Sequence, residues 1–334
     1  MQKILVTGAN GFLGSHLVYE LIARGYAVRA LVRSATNCPT ISPLLTEKKS
    51  IEFWKGDLTQ PDTMRGCAAG CAAIIHAAAL ASANPARNPA LWAVNLGGTE
   101  IIIREAKQAD VERFVYVGTA NVFGFGTLDN PGDETRAFAG QRYSSDYMDS
   151  KVAATNAVLR AVSEHELPAV LVHPTFMLGP MDAKPTSGQL LLELYRGRLV
   201  GYPPGGKNYI HVADVSVATV NALTMGRVGE SYILGNRNLT YRDAFRLMAT
   251  VMNVKPPRLL LPPALTRFYG AICDAQARLT GRPAMVNGSM MAIANDGHYF
   301  ASEKAIAKLG LAQTPVEQAI NEALKWFQVN NYVI

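Results

Sequence analysis

The stretch Lys3-Ile4-Leu5-Val6-Thr7-Gly8-Ala9-Asn10-Gly11-Phe12-Leu13-Gly14 decides the fold. Ile4 to Val6 is a short apolar run, suited to a strand buried on both faces in a parallel sheet. Gly8, Gly11 and Gly14 follow at three-residue spacing, and apolar residues then recur with a helical period from His16 to Ala23. Strand, glycine turn and helix together form the context that a phosphate-binding loop requires. Gly8 permits the tight turn, Gly11 lets the backbone approach a pyrophosphate, and Gly14 lets the helix pack close to the sheet. The helix N-terminus then offers unpaired N–H groups and its positive dipole end to an anion.

Outward from this loop, strand and helix alternate. Apolar strands read at 3–6, 26–32, 51–54, 72–76, 113–117 and 168–173, with helical stretches near 12–24, 61–69, 88–109 and 145–165. That alternation predicts an α/β fold with a doubly wound parallel sheet and helices on both faces. After residue 180 prolines and glycines punctuate the chain, among them Pro185, Pro203, Pro204, Gly205, Gly206, Pro262 and Pro263. The expected organisation is a nucleotide-binding domain over 1–180, with returns to the main sheet at 209–235, and a smaller, mostly helical substrate lobe over 181–334.

Composition fits a folded globule. The 334 residues are 49% hydrophobic, enough to bury a sizeable core. The net charge of +6 is spread along the chain, a bias that suits anionic cofactors. It forms no concentrated basic face, so a nucleic-acid partner is not expected. Cys38, Cys67, Cys71 and Cys273 lack the neighbours of a zinc site, so no metal is expected. Reduced thiols, no signal-peptide pattern and no apolar run of about 20 residues lead to the expectation of a cytoplasmic protein without a membrane span.

A second pattern carries chemistry. Tyr147 and Lys151 stand one helical turn apart, on one helix face. A tyrosine is a poor acid at neutral pH, and a lysine cation nearby is expected to lower its pKa.

With the glycine loop and the later Tyr-x-x-x-Lys in order, the chain resembles the extended short-chain dehydrogenase/reductase family, a Rossmann-type fold. Further matches run along nearly the whole chain: Gly56-Asp57-Leu58, His76-Ala77-Ala78-Ala79, Asn95 with Gly97, Gly98 and Thr99, then Thr119, Pro174 with Gly179 and Pro180, His211-Val212-x-Asp214, and Tyr232-Ile233-Leu234-Gly235. The resemblance implies cofactor contacts from Gly8, Asn10, Gly11, Phe12, Leu13, Gly14, Asp57, Leu58, Ala77, Ala78, Ala79, Asn95, Tyr147, Lys151 and Pro174. Asp57 would meet the adenine, and Lys151 the nicotinamide ribose. It also implies a catalytic set of Thr119, Tyr147 and Lys151, and a homodimer paired through the helices near 90–109 and 145–165.

Cofactor choice turns on the end of the second strand, where a carboxylate usually binds the ribose hydroxyls of NAD. Val32 stands there, and Arg33 follows with a fork of donors suited to a 2′-phosphate. Either Arg33 binds that phosphate or it is a solvated surface residue. NADP(H) is the expected cofactor, with NAD(H) possible.

The stretch Leu171 to Pro180 lacks the Arg and Asn of the sugar-nucleotide pattern. It looks closer to the branch similar to dihydroflavonol reductases and 3β-hydroxysteroid dehydrogenases. The expected reaction is reduction of a ketone or aldehyde on a bulky hydrophobic substrate. Tyr147 would donate the proton and Thr119 would orient the carbonyl. Leu259 to Leu261, Phe268, Tyr269, Ile272, Met285, Met290 and Met291 suggest an apolar pocket, ordinary packing of the second lobe, or a contact with a bilayer surface. Tyr143 reads as a pocket or surface residue, and His173 and His211 as structural. The alternatives are a nucleotide-sugar epimerase holding NAD tightly and a non-catalytic NADP-binding sensor subunit.

Overall fold

The computed structural model describes residues 1–36, 38–46, 50–81, 86–280 and 286–333. Met285 lies outside the described residues. The first half runs β1 (Lys3–Thr7), α1 (Phe12–Ala23), β2 (Ala27–Val32), α2 (Pro43–Thr46), β3 (Ile51–Lys55), β4 (Ala73–His76), α3 (Pro89–Trp92), α4 (Gly98–Gln108), β5 (Arg113–Val117), α5 (Asp146–His165) and β6 (Ala169–Pro174). The second half runs β7 (Phe176–Leu178), α6 (Gly188–Tyr195), β8 (Gly201–Tyr202), β9 (Gly206–His211), α7 (Val212–Asn221), β10 (Ser231–Leu234), β11 (Arg237–Thr240), α8 (Tyr241–Met252), β12 (Leu259–Leu260), α9 (Pro263–Thr280), α10 (Gly288–Asn295), β13 (Gly297–His298), α11 (Glu303–Leu309) and α12 (Val316–Val329).

The main sheet has seven parallel strands in the order β10-β6-β5-β4-β1-β2-β3. Successive side chains go to opposite faces. Ile4, Val6, Val28, Ala30, Ile75, Val115 and Val170 meet Leu17, Leu21, Val215 and Ala218 of α1 and α7 on one face. Leu5, Leu31, Ile74, Phe114, Tyr116 and Leu171 meet Ile102, Ala106, Ala154 and Val158 of α4 and α5 on the other. Both faces are dry, which is why these strands read as continuous apolar runs. A fully buried Leu or Ile here contributes about 1.5–3 kcal/mol. The strand order reverses between β1 and β4, and an open α/β sheet binds ligands at the carboxyl edge of such a switch point.

In the smaller lobe, α6, α8 and α12 pack around β9, which pairs antiparallel with β11 and parallel with β7 and β13. Only Ser231–Leu234 of the segment 209–235 returns to the main sheet. Residues 209–211 belong to the small sheet instead, because β9 takes β7 and β11 as neighbours.

Two helices differ from expectation. The stretch 61–69 is a single 3₁₀ turn, Pro61–Met64, followed by turns with Gly66 and Gly70 at φ of 72° and 70°. Left-handed glycines there end the helix. The helix expected over 88–109 is divided: α3 passes into a π-turn, Ala93–Gly97, before α4 begins. The wide turn accompanies inward hydrogen bonding of the Asn95 amide. A Cβ on Gly98 would lie 2.9 Å from Leu58 Cβ, so glycine permits this helix to approach the loop after β3.

Candidate functional site

Every expected cofactor segment lies at the carboxyl edge of the sheet. The glycine loop follows β1, Asp57 and Leu58 follow β3, Ala77–Ala79 follow β4, Thr119 follows β5, and Pro174 closes β6. Gly8 has φ of 68°, and a Cβ there would stand 2.7 Å from Ala78 Cα. A Cβ on Gly14 would stand 1.9 Å from the Gly8 carbonyl oxygen. Gly11 is different: within 4 Å its Cβ would meet only that oxygen, at 3.1 Å. The side of Gly11 away from the turn is therefore open. Helix α1 starts there with no side-chain cap and no acidic residue in its first turn, leaving its N–H groups and dipole to an anion. Leu13 is buried, Phe12 is half-buried, and Asn10 is exposed at the rim. This cradle fits a dinucleotide pyrophosphate.

A buried network fixes the floor of the cradle. Thr7 Oγ1 lies 2.7 Å from His76 Nδ1 and accepts from the Ala78 N–H at 3.1 Å. His76 Nε2 lies 3.1 Å from Thr99 Oγ1, which donates to the Asn95 carbonyl. Burial, then the Lys151 cation, hold the His76 pKa down at about 3, so the ring is neutral. Asn95 uses both ends of its amide inside the protein. Its oxygen accepts from Leu80 N–H at 2.8 Å, and its nitrogen donates to Leu80 O and Ser150 Oγ. It ties the loop after β4 to α5.

After β3, Asp57 Oδ1 accepts from the N–H and hydroxyl of Thr59. The Thr59 N–H and hydroxyl bonds hold its pKa below the usual value, and the charge of Arg33 adds to this. Arg33 is exposed, directly after the buried Val32.

Thr119, Tyr147 and Lys151 come together at the end of β5. Thr119 opens a 3₁₀ turn over Ala120–Val122. Burial raises the pKa of the half-buried Tyr147 phenol, and its hydrogen bond with the Thr119 hydroxyl works the other way. The lowering by Lys151 expected from the sequence is not what the structure shows. Lys151 is buried, with Nζ donating to Val117 O at 2.9 Å and lying 4.9 Å from the centre of the Tyr116 ring. Burial brings its own pKa down to about 7, so near neutrality it is only partly a cation.

That shift has a consequence for stability. The ordinary lysine value is 10.5, so between about 7 and 10.5 the folded protein binds fewer protons than the unfolded chain. The cost of burying the cation is full below this window and disappears above it. Lys151→Met is expected to exceed wild type in stability by about 1–4 kcal/mol near pH 6. The gap should narrow from about pH 7 upward and close near pH 10.5. Urea melts of both proteins across this range check it; a gap constant with pH would remove the charge explanation.

Several residues beside Thr119 were not singled out as site residues from sequence. The Asn121 N–H is directed at Thr119 Oγ1 at 3.4 Å, and Asn121 Oδ1 lies 3.0 Å from His298 Nδ1. His298 pairs in register with Lys207. Burial, then Lys207 and Arg142, keep His298 neutral with a pKa of about 3. Lys207 Nζ lies 5.3 Å from the Phe176 ring centre, and burial lowers its pKa to about 8. Tyr143 is neither surface nor open pocket: it is buried and donates to Asp296 Oδ2 at 2.5 Å. His211 Nδ1 caps α7 by accepting from Ala213 N–H at 3.0 Å, a structural role. His173 packs under Gly118, where a Cβ would come within 2.3 Å of its Nδ1. Of the apolar residues expected around a pocket, Leu259, Leu260, Phe268, Tyr269 and Ile272 are each about half exposed or more, whereas Leu261, Met290 and Met291 are half-buried.

A family model described as the NAD dependent epimerase/dehydratase family matches residues 4–235. A putative dihydroflavonol 4-reductase of Synechocystis sp. is 30% identical over 333 residues, 98% of this chain and 95% of that protein. Sterol demethylase protein B of Methylococcus capsulatus is 28% identical, over 97% of this chain and 98% of its own length. The crystal structure of gox2253 has a TM-score of 0.87 with this fold at 32% identity, covering the whole of both chains.

Proposed function

The chain belongs to the NAD dependent epimerase/dehydratase family, and on that footing we propose that it is an NADP(H)-dependent reductase of a ketone or aldehyde on a bulky apolar substrate. The loop Gly8 to Gly14 and the start of α1 would hold the pyrophosphate, and Arg33 the 2′-phosphate. Asp57 and Leu58 would bound the adenine, Ala77–Ala79 and Asn95 the middle of the cofactor, and Lys151 and Pro174 the nicotinamide end. When bound, the nicotinamide supplies hydride.

One observation carries the reading: the Tyr147 phenol rests on the Thr119 hydroxyl, and burial raises its pKa. A phenol held protonated is a donor, the form that carbonyl reduction needs. Thr119 can donate to the same substrate oxygen and stabilise developing negative charge. Lys151, with a pKa of about 7, can exchange a proton in the working range. The relatives named dihydroflavonol 4-reductase support reduction of an apolar carbonyl compound. A homodimer through α4 and α5, and a cytoplasmic location, belong to the same proposal.

NADP choice is tested separately. Arg33→Asp is expected to lose roughly 10–100-fold in NADPH affinity, the worth of hydrogen bonds to a charged group, and to gain in relative use of NADH. Fluorescence titration with both cofactors reads it. Unchanged NADPH affinity would remove Arg33 from the site.

A further inference from the structure

Helix α9 buries only Thr266, Gly270 and Cys273, the face set against α10. Contact there is close, since a Cβ on Gly270 would lie 2.8 Å from Gly288 Cα. On the outer face, Leu265, Phe268, Ile272, Ala275 and Leu279 recur at helical spacing. At 100° per residue they fall within an arc of about 80°. Leu265, Phe268, Ile272 and Leu279 are 50%, 66%, 48% and 89% exposed. Strand β12, just before α9 in the chain, adds the exposed Leu259 and Leu260, and pairs with β8 directly after Val200, which is 80% exposed. Large apolar side chains scattered singly need no explanation, but a continuous stripe of this kind marks a contact surface.

Charge identifies what would cover it. Lys255, Arg258, Arg267 and Arg278 are all exposed, and Arg267 and Arg278 lie along one border of the stripe. Among the described residues none of them pairs with a carboxylate. The one acidic residue in 253–280 is Asp274, which accepts from the Gly288 N–H at 3.1 Å. A second copy of the chain would set these cations against themselves across a two-fold axis. An apolar face bordered by arginines suits headgroups that are negative and acyl chains that are apolar.

We propose that α9 and β12 form a peripheral docking surface for an anionic lipid bilayer, with α9 lying in the interface plane. No described helix is long and apolar enough to cross a membrane, so the contact would be a surface one. The proposal uses none of the site residues and stands independently of the reductase reading.

Flotation with lipid vesicles tests it, using phosphatidylcholine alone and phosphatidylcholine with about three parts in ten phosphatidylglycerol. Wild type is expected to float with the anionic vesicles and far less with the neutral ones. Phe268→Glu with Ile272→Glu should abolish flotation. Arg267→Glu with Arg278→Glu should weaken it about twenty-five-fold or more, at roughly fivefold per removed cation, and raising salt to about 0.5 M should weaken it too. Both variants alter exposed side chains, so their Tm and NADPH binding should match wild type. Absence of flotation would overturn the proposal, as would flotation unaffected by either variant. Sedimentation velocity provides the competing outcome: a wild-type dimer broken by Phe268→Glu with Ile272→Glu, without vesicle binding, would assign the face to a second copy.

Discussion

Tyr147→Phe is expected to lose about 10²–10⁴-fold in turnover, the usual worth of a positioned proton donor, while NADPH binding survives. The substitution removes one oxygen and leaves the ring. That oxygen meets Thr119, at the end of β5, and burial favours its protonated form. The Thr119 hydroxyl loses a partner but keeps the Asn121 N–H directed at it. Stability should therefore change little, and the defect should appear in kcat more than in Kd for NADPH. Turnover close to wild type would place the proton donor elsewhere.

Gly14→Ala should have the largest structural effect. The added Cβ would sit 1.9 Å from the Gly8 oxygen and 2.7 Å from the Gly8 carbon. Both atoms are backbone, so no side chain can turn aside. Either α1 lifts from the sheet or the loop opens, at an expected cost of about 3 kcal/mol or more. NADPH affinity should fall with it. Gly11→Ala separates the two consequences, because its Cβ meets only the Gly8 oxygen, at 3.1 Å. Stability should survive there within about 1 kcal/mol, while the methyl group occupies the side open to phosphate. Urea melts and NADPH titrations on both variants read the contrast; equal effects would contradict the division of roles between the two glycines.

Much of the sheet was legible because its residues act locally. Ile4, Val115 and Val170 belong to short apolar runs bounded by turns, and the six strands read from sequence all appear, with ends shifted by a residue or two. The glycine loop was legible for the same reason: each glycine answers a contact within its own motif or with the next strand. The π-turn at Ala93–Gly97 was not, because its apolar spacing matches an ordinary helix. Only the folded position of Leu80 shows where the Asn95 amide bonds. The state of Lys151 was also hidden. Spacing places it on the face of Tyr147, but its burial and its bond to Val117 come from packing α5 against β5. Asn121 and His298 are 177 residues apart, a link that only tertiary structure makes. The apolar run after residue 258 was ambiguous because composition does not separate a core helix from one with its apolar side outward.

The most direct test of the reductase reading is NADPH oxidation, followed at the nicotinamide absorbance, against a panel of aromatic aldehydes, flavanones, steroid ketones and sugar nucleotides. NADH and Tyr147→Phe are run in parallel. The account predicts stoichiometric NADPH consumption with an apolar carbonyl compound, slower with NADH and lost in the variant. Isomerisation of a sugar nucleotide with no net cofactor use, and no turnover of any apolar carbonyl, would contradict it.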